Sequence, residues 1–370
     1  MKNIIVRSKQ NVFKPETKLL VERYGFEEIN DGVTSKGLKN PKELAIMFMK
    51  DCLFVFRNAG TLRRTNTIIA VGYTAIPVKL LLKLGIIRCE QMLWFGFFIH
   101  SPKAFRVFKV VFRLLRLKNE KLVLNSAYEI PLYAEKLNIP PHKLTYMLQG
   151  DWQEVKLLDE HYVPEVDEAY YFAGGYTNRD YTGVIEAFKQ MKQKIVIVGS
   201  YLNKELNDRD DLPDNIIIKK DIQKQEFESL LAKAKACILP LKADTGASGH
   251  MVLLGYMRNK KCTIASNMPA MREYLTHEAS GLLFDNARQD LPALISAVES
   301  GQYDLEKIGE TAYDTYQARF TYPALSRRLI EVIEMNGAAD SSEVGDGINE
   351  SSDISQPRGA ATVSATTTDQ

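Results

Sequence analysis

Three short loops carry the residues best suited to holding an anion. The first is AGGYTNRD, residues 173–180. Gly174 and Gly175 let the backbone approach a ligand closely, and a helix follows whose free N–H groups can meet a phosphate. Asn178 stands in the same loop, and Arg179 adds a planar charged fork suited to a diphosphate. Read as an ordinary strand-to-helix turn, the same loop leaves Arg179 on the surface. The second is TGASGHMVLLGYM, residues 245–257, which sets Gly246, Ser248 and Gly249 directly ahead of an apolar helix that starts at His250. Small residues at that place let backbone amides gather round a phosphate. The blander alternative is a flexible turn in which Ser248 caps the helix. The third, VGSY at 198–201, is a weaker signal centred on Gly199.

These loops need strands and helices to position them. In the second half of the chain AYYFAGG (169–175), KIVIVGS (194–200), NIIIKK (215–220), ACILPL (236–241) and KCTIAS (261–266) read as strands. Residues 181–192, 225–235, 251–258 and 268–275 read as helices between them, and three more helices close the chain, the last over 322–335. In the first half CLFVF (52–56), TIIAVG (67–72), MLWFGFF (92–98), KLVLNSA (121–127) and KLTYMLQGDW (143–152) read as strands, with a short helix from YEIPLYAEKLN. Strands alternating with helices imply mainly parallel sheets covered on both faces, with the ligand crevice at the carboxyl ends of the strands. The expected fold class is α/β, with two Rossmann-like doubly wound domains facing a cleft. The charged, irregular segment 154–166 is the expected linker. From Gly337 onward the chain is rich in Ser, Thr, Gly, Ala and Asp and has no aromatic residue, so a disordered tail is expected.

Composition fits this architecture. Apolar residues make up 45% and charged residues 25% of 370, the mix of a folded protein with a sizeable core. Cys52, Cys89, Cys237 and Cys262 are scattered with no CxxC pair, which argues against a disulfide framework or a zinc site and for a reducing compartment. The start, MKNIIVRSKQ, has no long apolar run, so no signal peptide is expected. The uncharged apolar stretches 65–78 and 91–102 are shorter than the roughly 18 residues of a spanning helix. The expected location is cytoplasmic, including the inner face of the plasma membrane.

Charge is unevenly spread. Residues 1–150 hold 25 Lys and Arg against 11 Asp and Glu, a balance of +14, and the remainder carries −12. Such a field draws anionic partners. It is densest around KAFRVFKVVFRLLRLK (103–118), where Arg106, Lys109, Arg113 and Arg116 align along one side of a helix. Phe105, Phe108, Phe112 and Leu115 form an adjacent stripe. An aromatic stripe beside a basic one suits an anionic membrane surface, and equally suits a core helix with a solvated basic edge. No nucleic-acid motif appears, so no nucleic-acid partner is expected.

Together the loops resemble a known family. The segments GGYTNRDYTGVIEAF (174–188), MVLLGYMRNKKCTIASN (251–267) and MREYLTHEASGLLFD (271–285) are similar to the donor-binding lobe of GT-B glycosyltransferases, above all the retaining family that builds bacterial polysaccharides. Residues 122–152 resemble the end of its acceptor lobe. The resemblance implies an acceptor domain over 1–153, a nucleotide-sugar domain over 167–320 and a closing helix over 321–336. It implies a nucleotide-sugar donor, a glycan or lipid-linked glycan acceptor, and no cofactor or metal. Gly199 and Ile222 join the two main loops in the implied donor site. One departure stands out. Two glutamates eight positions apart are usual in the family, and their places fall on Ala247 and Gly255. Asp244 and Ser248 are the nearest alternatives for the ribose hydroxyls. Arg179 is expected to stabilise the departing diphosphate. His100 is the candidate base if the reaction inverts. The missing glutamates also leave open a non-catalytic module of this fold, and a nucleotide-sugar epimerase is a third reading.

Overall fold

A computed structural model describes residues 2–7, 14–30, 41–97, 99, 102–151, 169–207, 212–242 and 248–338. The N-terminal lobe runs β1 (Lys2–Arg7), α1 (Lys14–Tyr24), β2 (Phe26–Asn30), α2 (Pro41–Arg57), β3 (Arg64–Val71), α3 (Ala75–Lys83), β4 (Arg88–Phe95), α4 (Pro102–Leu114), β5 (Glu120–Leu124), α5 (Glu129–Leu137) and β6 (Leu144–Tyr146). All its strand pairings are parallel, in the order β2-β1-β3-β4-β5-β6. The C-terminal lobe runs β7 (Tyr170–Gly174), α6 (Tyr181–Phe188), β8 (Lys194–Gly199), β9 (Ile216–Lys220), α7 (Lys224–Lys233), β10 (Ala236–Leu239), α8 (His250–Arg258), β11 (Thr263–Ser266), α9 (Pro269–Arg272), β12 (Leu282–Phe284), α10 (Ala287–Glu299) and α11 (Leu305–Arg319). Its strands are likewise parallel, in the order β12-β11-β10-β7-β8-β9.

The apolar strand runs explain both sheets. Every residue of β7 and β10 is buried, because helices cover both faces. Tyr171, Ala173, Ile195, Ile197 and Ile238 face a core shared with α6 and α10. Phe172, Val196, Val198, Cys237 and Leu239 face a second core shared with α7, α8 and α11. Strand order reverses between β7 and β10, so the helices that follow them, α6 and α8, lie on opposite faces of the sheet and leave a crevice at the carboxyl ends. Residues 175–180 follow the first of those ends and residues 240–242 the second.

The lobes are joined through α12 (Tyr322–Ala338) and a few polar contacts. Leu325, Leu329 and Val332 of α12 pack against Ile5, Ile69, Leu93 and Val123, so the last helix covers the N-terminal sheet. Asp151 donates its N–H to the Phe320 carbonyl at 2.8 Å. Its carboxylate pairs with Arg258 of α8 at 2.7 Å and accepts from the Tyr316 hydroxyl at 3.2 Å. Tyr274 donates its hydroxyl to the Gln149 carbonyl at 3.0 Å, and the Tyr128 N–H donates to Glu273 at 3.0 Å.

Two expectations are corrected. Residues 52–56 are not a strand but the last turns of α2. A short apolar run fits either period. Here the helical one holds, with Asp51 and Val55 buried while Met49, Leu53 and Phe56 face out. The helix expected over 268–275 is the single turn α9. The expected linker at 154–166 and the tail beyond residue 338 lie outside the described residues.

Candidate functional site

At the crevice a cavity of about 650 Å³ opens between the lobes. Gly175, Tyr176, Thr177 and Arg179 line it from the loop after β7, and Ser248, Gly249, His250, Met251 and Val252 from the start of α8. Lys224 and Phe227 of α7 close one side, and Asn125 and Gln149 face it from the strand ends of the N-terminal lobe. Arg179 and Lys224 are cationic, and among the described lining residues none is acidic.

Arg179 is not on the surface but 3% exposed. Its Nη1 donates to the Thr177 carbonyl at 2.7 Å, and its Nε reaches the Gly174 carbonyl at 3.4 Å. Both are backbone acceptors, and among the described residues no carboxylate pairs with it. Burial pulls its pKa down, but an arginine stays protonated at neutral pH. The site therefore holds a buried cation whose counter-charge is not supplied by the described protein groups.

Beside it stands the start of α8. Gly249 takes φ +85 at the N-cap, and no side chain caps the helix. The first intrahelical bond runs from the Leu253 N–H to the Gly249 carbonyl. The N–H groups of His250, Met251 and Val252 are thus without intrahelical partners, at the positive end of the dipole. His250 is 6% exposed, and its Nε2 is buried without a hydrogen-bond partner. Burial first, and then the neighbouring Arg179 cation, push its pKa down to about 4, so the imidazole is neutral at pH 7. Its ring stacks on Tyr274 at 4.8 Å, and Tyr274 stacks on Phe320 at 4.7 Å.

The two loops are tied together. Asn178, in the left-handed region at φ 55, donates to the Ser248 hydroxyl at 2.8 Å and to the Lys242 carbonyl at 3.3 Å. Ser248 therefore serves as an acceptor for Asn178, and the alternative in which it caps the helix is not the one formed. Gly174 is a packing glycine. Its N–H donates to the Tyr256 hydroxyl at 2.9 Å, and a Cβ there would meet the Phe227 ring at 2.6 Å. Gly199 is packed by Asn203 and Leu206 at the end of β8. Ile222 is half-buried against the α7–α8 core. Neither is among the described lining residues. His100, Asp244 and Gly246 lie outside the described residues. Gly255, at one of the two missing-glutamate positions, has only Leu231 near its absent Cβ, at 3.9 Å, so packing does not explain the lack of a side chain.

Asn125, Gln149, Lys224 and Phe227 were not singled out from sequence. Asn125 and Gln149 each follow a strand that ends in a polar turn, which is a usable signal. Lys224 and Phe227 are brought in by the fold alone.

Comparison with known proteins agrees with this architecture. Residues 165–315 match the family described as Glycosyl transferases group 1. No curated protein sequence matches the chain. Among solved structures, a glycosyltransferase from Rickettsia africae aligns with a TM-score of 0.64 at 16% identity, over 90% of this chain and 98% of that one. The Anabaena protein Alr3699/HepE in complex with UDP-glucose aligns at 0.59 and 15%, over 90% and 100%. The lipopolysaccharide outer core galactosyltransferase WaaB aligns at 0.61 and 13%, over 90% and 99%. Such low identities speak for the fold, and the family match speaks for the C-terminal lobe. The chain therefore has the two-lobed GT-B fold, and its residues 165–315 match the group 1 glycosyl transferases.

Proposed function

We propose that the enzyme takes a hexosyl-type sugar from a nucleoside-diphosphate donor in this cavity and passes it to a lipid-linked or surface glycan. The observation that carries the donor half is the buried Arg179 cation beside the uncapped start of α8. As the bond from the sugar to the diphosphate breaks, negative charge grows on the departing phosphate oxygen. Arg179, the first amides of α8 and the Lys224 ammonium are placed to take it up, and donors fixed beforehand need no reorganisation at that moment. His250, held neutral, offers a ring nitrogen to a donor hydroxyl or phosphate without adding a second buried charge. Asn178 and Ser248 keep the two loops in register. Gly174, Gly199 and Ile222 shape the strand ends around them, and Asp244 and Gly246 are proposed as further donor-binding residues.

The Anabaena structure contains UDP-glucose, which makes uridine nucleotides the first donors to test. WaaB acts in the lipopolysaccharide outer core, which supports a glycan acceptor. That acceptor would enter from the N-terminal side, where Asn125 and Gln149 reach the cavity. For an inverting reaction His100 is the proposed base, tested by the loss of transfer but not of donor binding in His100→Gln. Thermal unfolding with UDP-, GDP- and ADP-sugars tests the donor assignment. A bound nucleotide raises the midpoint, and no rise with any of them contradicts it.

A further inference from the structure

The helices α2, α3, α4 and α5 all cover one face of the N-terminal sheet. Val55, Ala75, Val78, Phe105, Phe112 and Tyr133 share a single core with Ile4, Ile68 and Trp94. Of the two places open to the aromatic stripe of α4, a membrane face or the core, it takes the core. Phe105 and Phe112 are buried, and Phe108 packs on Phe97 at 4.9 Å. What α4 turns outward is a different set. Val107, Val110 and Leu114 are 62%, 55% and 64% exposed, and Arg106, Lys109 and Arg113 are exposed beside them.

The second helix of this layer presents a matching stripe. Ile46, Met49, Leu53 and Phe56, spaced three, four and three, are 49%, 64%, 51% and 44% exposed. That spacing sets them on one outer side of α2. Lys50 and Arg57 are exposed on the same helix. Between α2 and α4 lies Tyr73, itself partly exposed, whose ring stacks on Phe108 at 6.4 Å. The segment Gly72–Thr74 packs on α2. The two stripes thus belong to one continuous outer layer.

Seven large apolar side chains standing in water on one layer is more than scattered exposure. The charge around them selects the partner. From residue 41 to 121, the span that holds both helices, the chain has 15 basic and four acidic residues; α4 has no acidic residue, and Asp51 of α2 is buried. Among the described residues no helix is long and apolar enough to cross a membrane, so any membrane contact made by them is from one side.

We propose that this outer layer, α2 with α4, is a docking surface for a bilayer carrying anionic headgroups. The Met49–Leu53 side and the Val107–Leu114 side enter the headgroup boundary, while Arg106, Lys109 and Arg113 meet lipid phosphates. Both helices share their core with the sheet behind them, so docking fixes the lobe that faces the donor cavity at the membrane surface. Binding here needs no donor, and its test stands apart from the nucleotide assignment.

The experiment is co-sedimentation of the full chain with vesicles of phosphatidylcholine alone and of phosphatidylcholine mixed with phosphatidylglycerol, without nucleotide. Strong binding to the mixed vesicles, weakened by salt, is expected. Reversing Arg106→Glu with Arg113→Glu should lower it about 100-fold, and Met49→Ser with Leu53→Ser about tenfold. Thermal midpoints should stay near the parent value, since all four side chains are exposed. Equal binding to neutral vesicles, or no change in either double variant, overturns the proposal. So does a dimer that the Met49→Ser, Leu53→Ser chain loses, which assigns the face to a second copy. Binding to duplex DNA that needs Arg106 and Arg113, with no vesicle binding, also overturns it.

Discussion

Gly175 and Arg179 fill one space. A Cβ on Gly175 would lie 2.5 Å from Arg179 Nη2 and 2.6 Å from its Nε, and Gly175 also takes φ +131. The glycine is therefore what lets a guanidinium turn back under its own loop. That relationship joins the left-handed backbone of one residue to the buried charge of another, and the donor assignment depends on it.

Gly175→Ala should displace the guanidinium and strain the backbone, costing about 1–3 kcal/mol. Nucleotide affinity should fall about tenfold or more, as measured by titration calorimetry. Because the two residues act together, adding Arg179→Gln to that variant should cost much less than Arg179→Gln alone. Simple additivity of the two changes would show that Gly175 does not position the arginine.

Gly255 has an opposite character. It lies inside α8 with open space at its Cβ, and its φ is not in the left-handed region. Gly255→Ala should raise stability by about 0.5–1 kcal/mol in urea unfolding, through helix propensity and a less flexible unfolded chain. A loss of stability would mean that the position is reserved for something other than packing.

His250 gives the fold a pH dependence whose sign is fixed. Its folded pKa of about 4 lies below the ordinary 6.5. Between those values the unfolded chain binds a proton that the folded chain refuses. Its neutral form costs nothing above about pH 6.5, and stability falls as pH drops toward 4, by on the order of 3 kcal/mol. The His250→Gln chain should lose less stability than the parent between pH 7 and about 4.5. Parallel unfolding profiles for the two would refute this.

Arg258 bridges the lobes, pairing with Asp151 at 2.7 Å and with Glu228 at 3.2 Å. Arg258→Met removes the cation from a buried carboxylate and should destabilise the chain by about 3 kcal/mol. The unfolding midpoint in urea is the check. A change under about 0.5 kcal/mol would place this pair among weak surface contacts.

Much of this was legible in the sequence. The apolar runs of β7, β8 and β10 and the glycine loops after them have no competing period, and they identified both the doubly wound lobe and the crevice. Where periods compete, reading failed. The run 52–56 was as good a strand as a helix turn until Asp51 and Val55 were seen to face the core together. The stripe of Phe105, Phe108 and Phe112 fitted a membrane face and a core equally well. A helix pattern gives spacing but not which side meets the sheet, and here the aromatics went in and Val107 and Val110 came out. The burial of Arg179 was hidden too, because its acceptors sit in its own loop, which Asn178 also ties to Ser248, seventy residues later. Spacing in the chain carries no trace of such a contact.

On the proposed function, a nucleoside diphosphate is held by Arg179 at the start of α8. Titration calorimetry of UDP, GDP and ADP against the parent chain and Arg179→Gln tests it most directly. At least one of them should bind the parent, and Arg179→Gln should weaken it about 30-fold or more, the loss of a charge-assisted contact of roughly 2 kcal/mol. Equal affinity in the two chains, or no binding of any nucleotide to the parent, would contradict it.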